Sequence, residues 1–486
     1  MDISKKIARI IFPHFRFGES RIEDALKLVN LGVGGFCFYG GSVDEIIEVS
    51  RTLRNASDHP LIFASDYENG VGQWVRGATR LPTNMAIAAT GDVSFSRRKG
   101  EITAAEADAI GVDWVFAPVV DIADNHSNPI VNLRAFSDEP NCIVDFAIEF
   151  ISGLNSFNII NSIKHFPGHG DTDVDSHLVL PSIKKSYAEL EAHELVPFVR
   201  LLGISDSVMV GHLLVESIDK NFPASLSSSL IDKILIKKMN YSKVIITDAL
   251  VMKAIRNETK AGVAAFIAGA DILLYPEDPY SLYSALIESV RKGEIELERL
   301  DISIKKLENM VSKRRVSSYR ARDISLVGAM EHRKMIVDMA YRCGTIVKDD
   351  GSSVGKKVYV FETLCEGEMK ARCFIERLKE LGFEIKDLPS LADESIIVSF
   401  SKPKAFSGKI NLMAEEKEQI DEIIASSKKT FFISFGSPFV FDGYLSTINK
   451  GLCFFDDFPE FQRACAEYIA GICELKGKMP VKLKDT

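Results

Sequence analysis

Up to residue 315 the chain repeats one pattern, a short and almost continuously apolar run followed by a longer segment with helical spacing. The runs are IARIIF (7–12), VGGFCFY (33–39), PLIFASD (60–66), VDWVFAPVVD (112–121), NIINSIKH (158–165), SVMVGH (207–212), KVIITDA (243–249) and GADILLYP (269–276). Each is rich in β-branched or aromatic residues, and none shows the polar alternation of a half-exposed strand. That is the signature of parallel strands buried on both faces. The intervals carry helix patterns such as SRIEDALKLVNLG and YAELEAHELVPFVRLLG, the latter predicted to stop at a C-cap on Gly203. Eight strands alternating with helices predict an α/β fold, an N-terminal (β/α)8 TIM barrel. A doubly wound open sheet satisfies the same alternation and is the competing architecture.

Charged and imidazole side chains follow directly on these runs. Asp66 and Glu68 come after the third, Lys164 and His165 after the fifth, His212 after the sixth and Asp248 after the seventh. In a barrel the C-terminal ends of all strands open on one face, where active sites are built. Bare charges are costly to bury, so core packing does not account for this convergence.

At 486 residues the chain exceeds what one core usually organises. The charged, Ser-containing segment VSKRRVSSYRARD (311–323) reads as an exposed linker or a crossing helix, and the linker between domains is placed at 316–334. Beyond it, HRKMIVDMAYRCGTIVKDDG reads as a helix running into a strand. KKVYVFE, ESIIVSFS and KTFFISFG are further strand candidates, separated by helix-like MKARCFIERLKELG and EEKEQIDEIIASSK. Residues 335–486 are therefore expected to form a C-terminal α/β/α sandwich, with the barrel occupying 1–315.

Hydrophobic and charged fractions of 46% and 26% are those of a globular protein, and a net charge of −9 argues against nucleic acid or an anionic membrane as partner. No stretch approaches the roughly 20 apolar residues of a membrane span. The N-terminal apolar run is broken by Pro13 and His14, too short for a signal-peptide core and without a small-residue cleavage site. The eight cysteines are scattered with no CxxC pair, so they are expected to be reduced, mostly buried thiols of a cytoplasmic protein. Nothing in the pattern specifies an oligomeric state.

The segment KHFPGHGDTDVDSHLVLP, 164–181, concentrates three histidines and three aspartates. His165 and His169 have the i, i+4 spacing of two metal ligands on a helix face, but Pro167, Gly168 and Gly170 oppose a helix there. The spacing then loses its geometric meaning, and no metal is expected. In an extended segment Asp175 and His177 project to the same side. A carboxylate placed there holds one imidazole nitrogen and leaves the other to move a proton. A polar surface loop is the competing explanation of an isolated Asp-x-His. Asp248, ending the apolar run VIITD, is either a cap of the following helix or a nucleophile at the barrel mouth.

Together with PASLSSSLIDKILIKKMNYSKVIITDALVMKAI, this segment resembles glycoside hydrolase family 3, in its bacterial β-N-acetylglucosaminidase branch. SDYENGVGQWVRGATRLP, FAPVVDI followed by RAFSDEP, MVGH, AYRCGTIVKDD and KGKMPVKL extend the resemblance over most of the chain. It implies a catalytic barrel, a following sandwich and a retaining double displacement. By that resemblance Asp248 is the nucleophile, and His177 is the general acid/base, oriented by Asp175. Asp66, Arg134, Lys164 and His165 stand where the family contacts the hydroxyls of the sugar in the −1 subsite. The substrate implied is a small oligosaccharide or muropeptide from which terminal GlcNAc is removed, with no metal or organic cofactor.

An imidazole with a reference pKa of about 6.5 cycles near neutrality with less tuning than a carboxyl acid. It also removes a negative charge from the leaving-group side, which opens a phosphorolytic alternative with the same residues. The family's usual DxEGGRVxR reads DYENGVGQW here, with Val71 and Trp74 in place of arginines and Arg76 nearby as a candidate substitute. Trp74 is expected to stack on a sugar face or to pack against the barrel, and Ala249 replaces a usual second aspartate. That erosion suggests a third alternative, a non-catalytic glycan-binding protein.

Overall fold

The structure, a computed structural model, describes residues 2–172, 174, 178–255, 257–314, 323–363, 370–402 and 412–484. Contacts divide the chain into two units, one of residues 1–81, 96–122 and 143–329, the other of 82–95, 123–142 and 330–486. Two segments from within the first 315 residues thus pack with the C-terminal part, a division that no strand or helix pattern foreshadows. The linker region 315–322 lies outside the described residues.

The strands of the first unit are β1 (Ile11–Phe12), β2 (His14–Arg16), β3 (Gly35–Tyr39), β4 (Ile62–Ser65), β5 (Trp114–Val115) and β6 (Ile160–Phe166). They continue as β7 (Ser182–Ile183), β8 (Ser207–Val210), β9 (Leu214–Val215), β10 (Val244–Thr247) and β11 (Leu273–Leu274). Seven form one parallel sheet in the order β10-β8-β6-β5-β4-β3-β2, and β1 pairs with β11. β1 and β2 are halves of one strand, split at Pro13, which has no N–H to give to a ladder. β11 joins β10 through the Ile246–Ile272 bridge, while the Pro13 carbonyl accepts from Cys37 N on β3 at 2.9 Å. The pairing therefore runs full circle through eight parallel strands, and all eight predicted runs contribute one. β7 and β9 form a separate small parallel pair.

The side-chain alternation follows from this closure. Phe12, Cys37, Ile62, Ala64, Trp114 and Ile246 fill the barrel interior, whereas Phe36, Phe38, Phe63 and Val115 pack outward towards the helices. Two local expectations differ. Residues Ile3–Arg9 are helical and bury Ile7 and Ala8, so the first strand starts later than its apolar run. The stretch at 187–203 is two helices, Tyr187–Ala192 and Leu195–Leu201. Pro197 cannot donate to the His193 carbonyl, which breaks the helix there. Gly203 is not among the glycines in the left-handed region and caps nothing, in contrast to Gly32 (φ 103°), which ends Ile22–Leu31.

At the N-terminal ends of the strands, buried aspartates tie neighbours together. Asp113 accepts from Phe63 N at 3.0 Å, Asp206 from Asn161 N at 3.2 Å and Asp271 from Ile245 N at 2.9 Å. Asp271 is fully buried and also takes Arg299 at 3.0 Å, Ser303 at 2.7 Å and Lys306 at 2.9 Å. Asp271→Ala is expected to cost about 3–5 kcal/mol, because two cations lose their buried partner. Denaturant titration reads that loss, and kcat per folded molecule should be unchanged, since this face is remote from the strand ends that bear the site.

The second unit contains β12 (Thr345–Asp349), β13 (Lys357–Glu362), β14 (Glu384–Lys386), β15 (Glu394–Ser399), β16 (Thr430–Ser434) and β17 (Lys450–Cys453). Their order is β12-β17-β16-β15-β13-β14, parallel except for β12 at the edge, which runs antiparallel to β17. Without that edge strand the order is the doubly wound 2-1-3-4-5 arrangement. Helices Arg372–Glu380 and Pro459–Ile469 lie against each other, and the sheet and helices make a separate α/β sandwich. β14 and β17 lie outside the predicted strands: EIK is charged at both ends, and KGLC has a single large apolar residue, Leu452. No helix among the described residues is long and apolar enough to cross a membrane. Seven cysteines are free thiols, and Cys365 lies outside the described residues.

Candidate active site

The C-terminal strand ends of the barrel supply a ring of polar side chains, with Arg16 from β2, Tyr39 from β3 and Asp66 after β4. Asp121 follows β5, Lys164 and His165 lie on β6, His212 follows β8, Asp248 follows β10, and Tyr275 follows β11.

β6 is buried along its whole length, and Ile160, Ser162 and Lys164 are successive inward positions. This alternation carries the Lys164 ammonium to the top of the interior. There Lys164 Nζ lies 2.6 Å from Asp66 Oδ1 and 2.6 Å from Glu68 Oε1, with the Lys164 and Glu68 side chains only 2% and 5% exposed. Lys164 thus ties the two carboxylates together at the barrel mouth. Asp66 is 25% exposed, which leaves it accessible to a ligand. Its second oxygen accepts from Tyr39 OH at 2.6 Å, and its main-chain carbonyl from Trp74 Nε1 at 3.0 Å.

The loop that carries the eroded motif is tied to this cluster. Trp74 is half-buried, edge-on to Tyr39 at 5.2 Å, and tied to the Asp66 main chain. Val71 is fully buried in the layer between strands and helices. Arg76 is 77% exposed and pairs with Glu45 at 3.3 Å on the surface, so it does not replace the missing arginines. The loop is held from behind by fully buried Lys99, whose Nζ donates to Asn69 Oδ1 at 3.0 Å, and by Glu106, which accepts from Thr79 N at 2.8 Å.

Asp121 is fully buried and organises the chain after β6. Its Oδ2 is 2.6 Å from His165 Nδ1, and its Oδ1 accepts from His165 N at 3.1 Å and His169 N at 2.8 Å. A carboxylate accepts here, so His165 Nδ1 carries hydrogen, which fixes the tautomer of the ring. Burial works to raise the Asp121 carboxyl, but His165 and His169 outweigh it and hold the pKa below the usual carboxylate value. A depressed folded-state pKa means stability that is complete above the unfolded value of about 4 and lost as pH falls through the folded one. Asp121→Asn should therefore destabilise by about 1–3 kcal/mol at neutral pH. It should also shrink the loss of stability between pH 4 and pH 2, which urea titrations across that range would measure.

Asp248 N donates to Val210 O at 3.0 Å, and its half-buried carboxylate accepts from Ala249 N at 2.8 Å. His212, fully buried, fixes the next residue. Its Nε2 lies 3.0 Å from the Ala249 carbonyl and its Nδ1 2.6 Å from Ser225 Oγ. The carbonyl only accepts, so Nε2 is the donor and the imidazole serves to hold backbone. His169 likewise shapes its loop, with Nδ1 2.8 Å from Thr172 Oγ1.

Among the residues singled out from sequence, the structure joins Asp66 and Lys164, and places His165 on the same strand end and Asp248 on the same barrel face. Arg134 belongs to the second unit, where its Nη1 donates to Ile130 O at 3.2 Å. Asp175 and His177 lie outside the described residues. Tyr39 and Asp121 were not singled out. Asp121 ends an apolar run just as Asp66 and Asp248 do, and the same rule applied consistently would have found it.

The glycosyl hydrolase family 3 N-terminal domain matches residues 2–310. A β-hexosaminidase of Idiomarina loihiensis is 31% identical over 54% of this chain and 81% of its own length. β-Hexosaminidase A of Pseudoalteromonas piscicida is 28% identical, and the match spans 66% of this chain but only 60% of that protein. Among solved structures, a glycoside hydrolase family 3 β-N-acetylglucosaminidase from Paenibacillus sp. str. FPU-7 superposes with a TM-score of 0.88 at 25% identity over the full length of both chains. A β-glucoside phosphorylase superposes at 0.92 over 99% of this chain, with 23% identity. The chain belongs to glycoside hydrolase family 3.

Proposed function

We propose that this chain is a retaining exo-β-N-acetylglucosaminidase that removes terminal GlcNAc from peptidoglycan-turnover fragments or chito-oligosaccharides in the cytoplasm. Asp248 attacks the anomeric carbon while His177, oriented by Asp175, protonates the leaving oxygen. Water, deprotonated by the same imidazole, then releases the sugar from Asp248. Asp66, Lys164 and His165 hold the hydroxyls of the sugar in the −1 subsite, and for Arg134 that role rests on the family resemblance alone. The observation that carries this reading is Lys164 clamped at 2.6 Å by both Asp66 and Glu68 at the barrel mouth that also bears Asp248. The β-hexosaminidase relatives support the substrate class.

The second reading is phosphorolysis. It rests on the sequence, which offers His177 where a carboxylate acid would repel a phosphate acceptor. Release of free sugar from an aryl β-N-acetylglucosaminide, compared with an aryl β-glucoside, tests the first reading. Adding phosphate and looking for a sugar 1-phosphate tests the second. Equal turnover of both glycosides would remove the N-acetyl requirement.

A further inference from the structure

We propose that Tyr39 is a positioning residue that fixes the carboxylate of Asp66 for a sugar hydroxyl, and that Tyr275 and Arg16 brace it. The inference rests on the reading of Asp66 as a sugar-binding group and adds the device that orients it.

Asp66 is anchored at three points. Tyr39 OH donates to Oδ2 at 2.6 Å, Lys164 Nζ to Oδ1 at 2.6 Å, and Trp74 Nε1 to the main-chain oxygen at 3.0 Å. The lysine neutralises charge, whereas the phenol sets direction, because a hydroxyl on a rigid ring has one narrow arc in which it can donate. The ring itself is held between two aromatic edges, Trp74 at 5.2 Å and Tyr275 at 5.6 Å. Arg16 Nη2 donates to Tyr275 OH at 3.1 Å, and its guanidinium carbon stands 5.8 Å from the centre of the Tyr39 ring. Tyr275 is a non-glycine residue at φ 51°, a conformation that costs energy and persists where the surroundings impose it. Its main-chain oxygen accepts from Val251 N at 3.2 Å, three residues after Asp248. The brace therefore continues from the Asp66 side of the mouth to the segment that follows the nucleophile.

Burial and the adjacent Asp66 carboxylate push the Tyr39 phenol well above its ordinary pKa, so it is a donor at neutral pH. Val71 and Trp74 occupy the positions at which the motif resembled by DYENGVGQW has arginines. Tyr39 and Trp74 give Asp66 hydrogen-bond donors without adding a charge.

The test compares Tyr39→Phe and Asp66→Asn with the unmodified protein on a parent aryl β-N-acetylglucosaminide and its 3-, 4- and 6-deoxy analogues. Phe keeps the ring and its aromatic neighbours and removes only the hydroxyl. Tyr39→Phe should lower kcat/KM on the parent by about tenfold or more, the scale of a hydrogen bond to a charged group. The deficit should disappear on one deoxy analogue, the same one that abolishes the Asp66→Asn deficit. A purely structural role would lower kcat/KM equally on every analogue, and that outcome overturns the proposal. So does a wild-type kcat/KM for Tyr39→Phe while Asp66→Asn is impaired. If Asp66→Asn itself has no effect on any substrate, the site reading has failed, and the inference with it.

Discussion

Asp248→Ala is expected to reduce turnover of an aryl β-N-acetylglucosaminide by on the order of 10^4-fold or more, the scale seen when a covalent nucleophile is removed. Three features support so large an effect. The carboxylate sits directly after a fully buried strand, so its position is set by the barrel and not by a loop. Its main chain is held on β8 through Val210 O, and the next carbonyl on His212. Oδ1 accepts from Ala249 N. Alanine leaves room on the face of the sugar that the nucleophile occupied. Added azide should therefore restore part of the rate and give a glycosyl azide of the opposite anomeric configuration. Near-normal turnover by Asp248→Ala, or azide rescue with retained configuration, would contradict the assignment.

His177→Ala is expected to be the second largest loss, and its size should depend on the leaving group. General-acid assistance contributes roughly 10^2–10^4-fold where the departing oxygen is basic and little where it leaves readily. A chito-oligosaccharide should lose nearly the whole of that factor. For a dinitrophenyl glycoside the first step should be almost unaffected, and the intermediate should accumulate because its hydrolysis also uses the imidazole. A burst of phenolate followed by slow turnover is the expected trace. Asp175→Asn should give a weaker version of the same pattern. An equal loss on every leaving group would assign His177 to binding instead.

The parallel strands were legible in sequence because strands buried on both faces cannot alternate polar and apolar residues, and the polar side chains that end them favoured a barrel over a doubly wound open sheet. The packing of 82–95 and 123–142 with the C-terminal unit was not legible, because neither segment has periodicity that declares its partner. The helix at Ile3–Arg9 was misread for a related reason, since a short apolar run does not separate helix from strand.

For the site, Asp66, Lys164, His165 and Asp248 were legible as polar side chains ending apolar runs. The role of His212 depended on Ala249 and Ser225, and that of Asp121 on His165 and His169, contacts between distant parts of the chain. Arg76 shows the limit of sequence proximity. It is two residues from Trp74, where the resembled motif has an arginine, yet it pairs with Glu45 on the surface.

The central claim is that a sugar becomes covalently attached to Asp248, and trapping that species tests it most directly. A 5-fluoro β-N-acetylglucosaminyl fluoride has a reactive leaving group and a fluorine that disfavours positive charge at the ring, so the glycosyl-enzyme forms faster than it decays. Mass spectrometry of the intact protein should show the addition of one fluorinated sugar, and peptic digestion should locate it on the peptide that contains Asp248. No adduct under turnover conditions, or an adduct on a peptide lacking Asp248, would contradict the account.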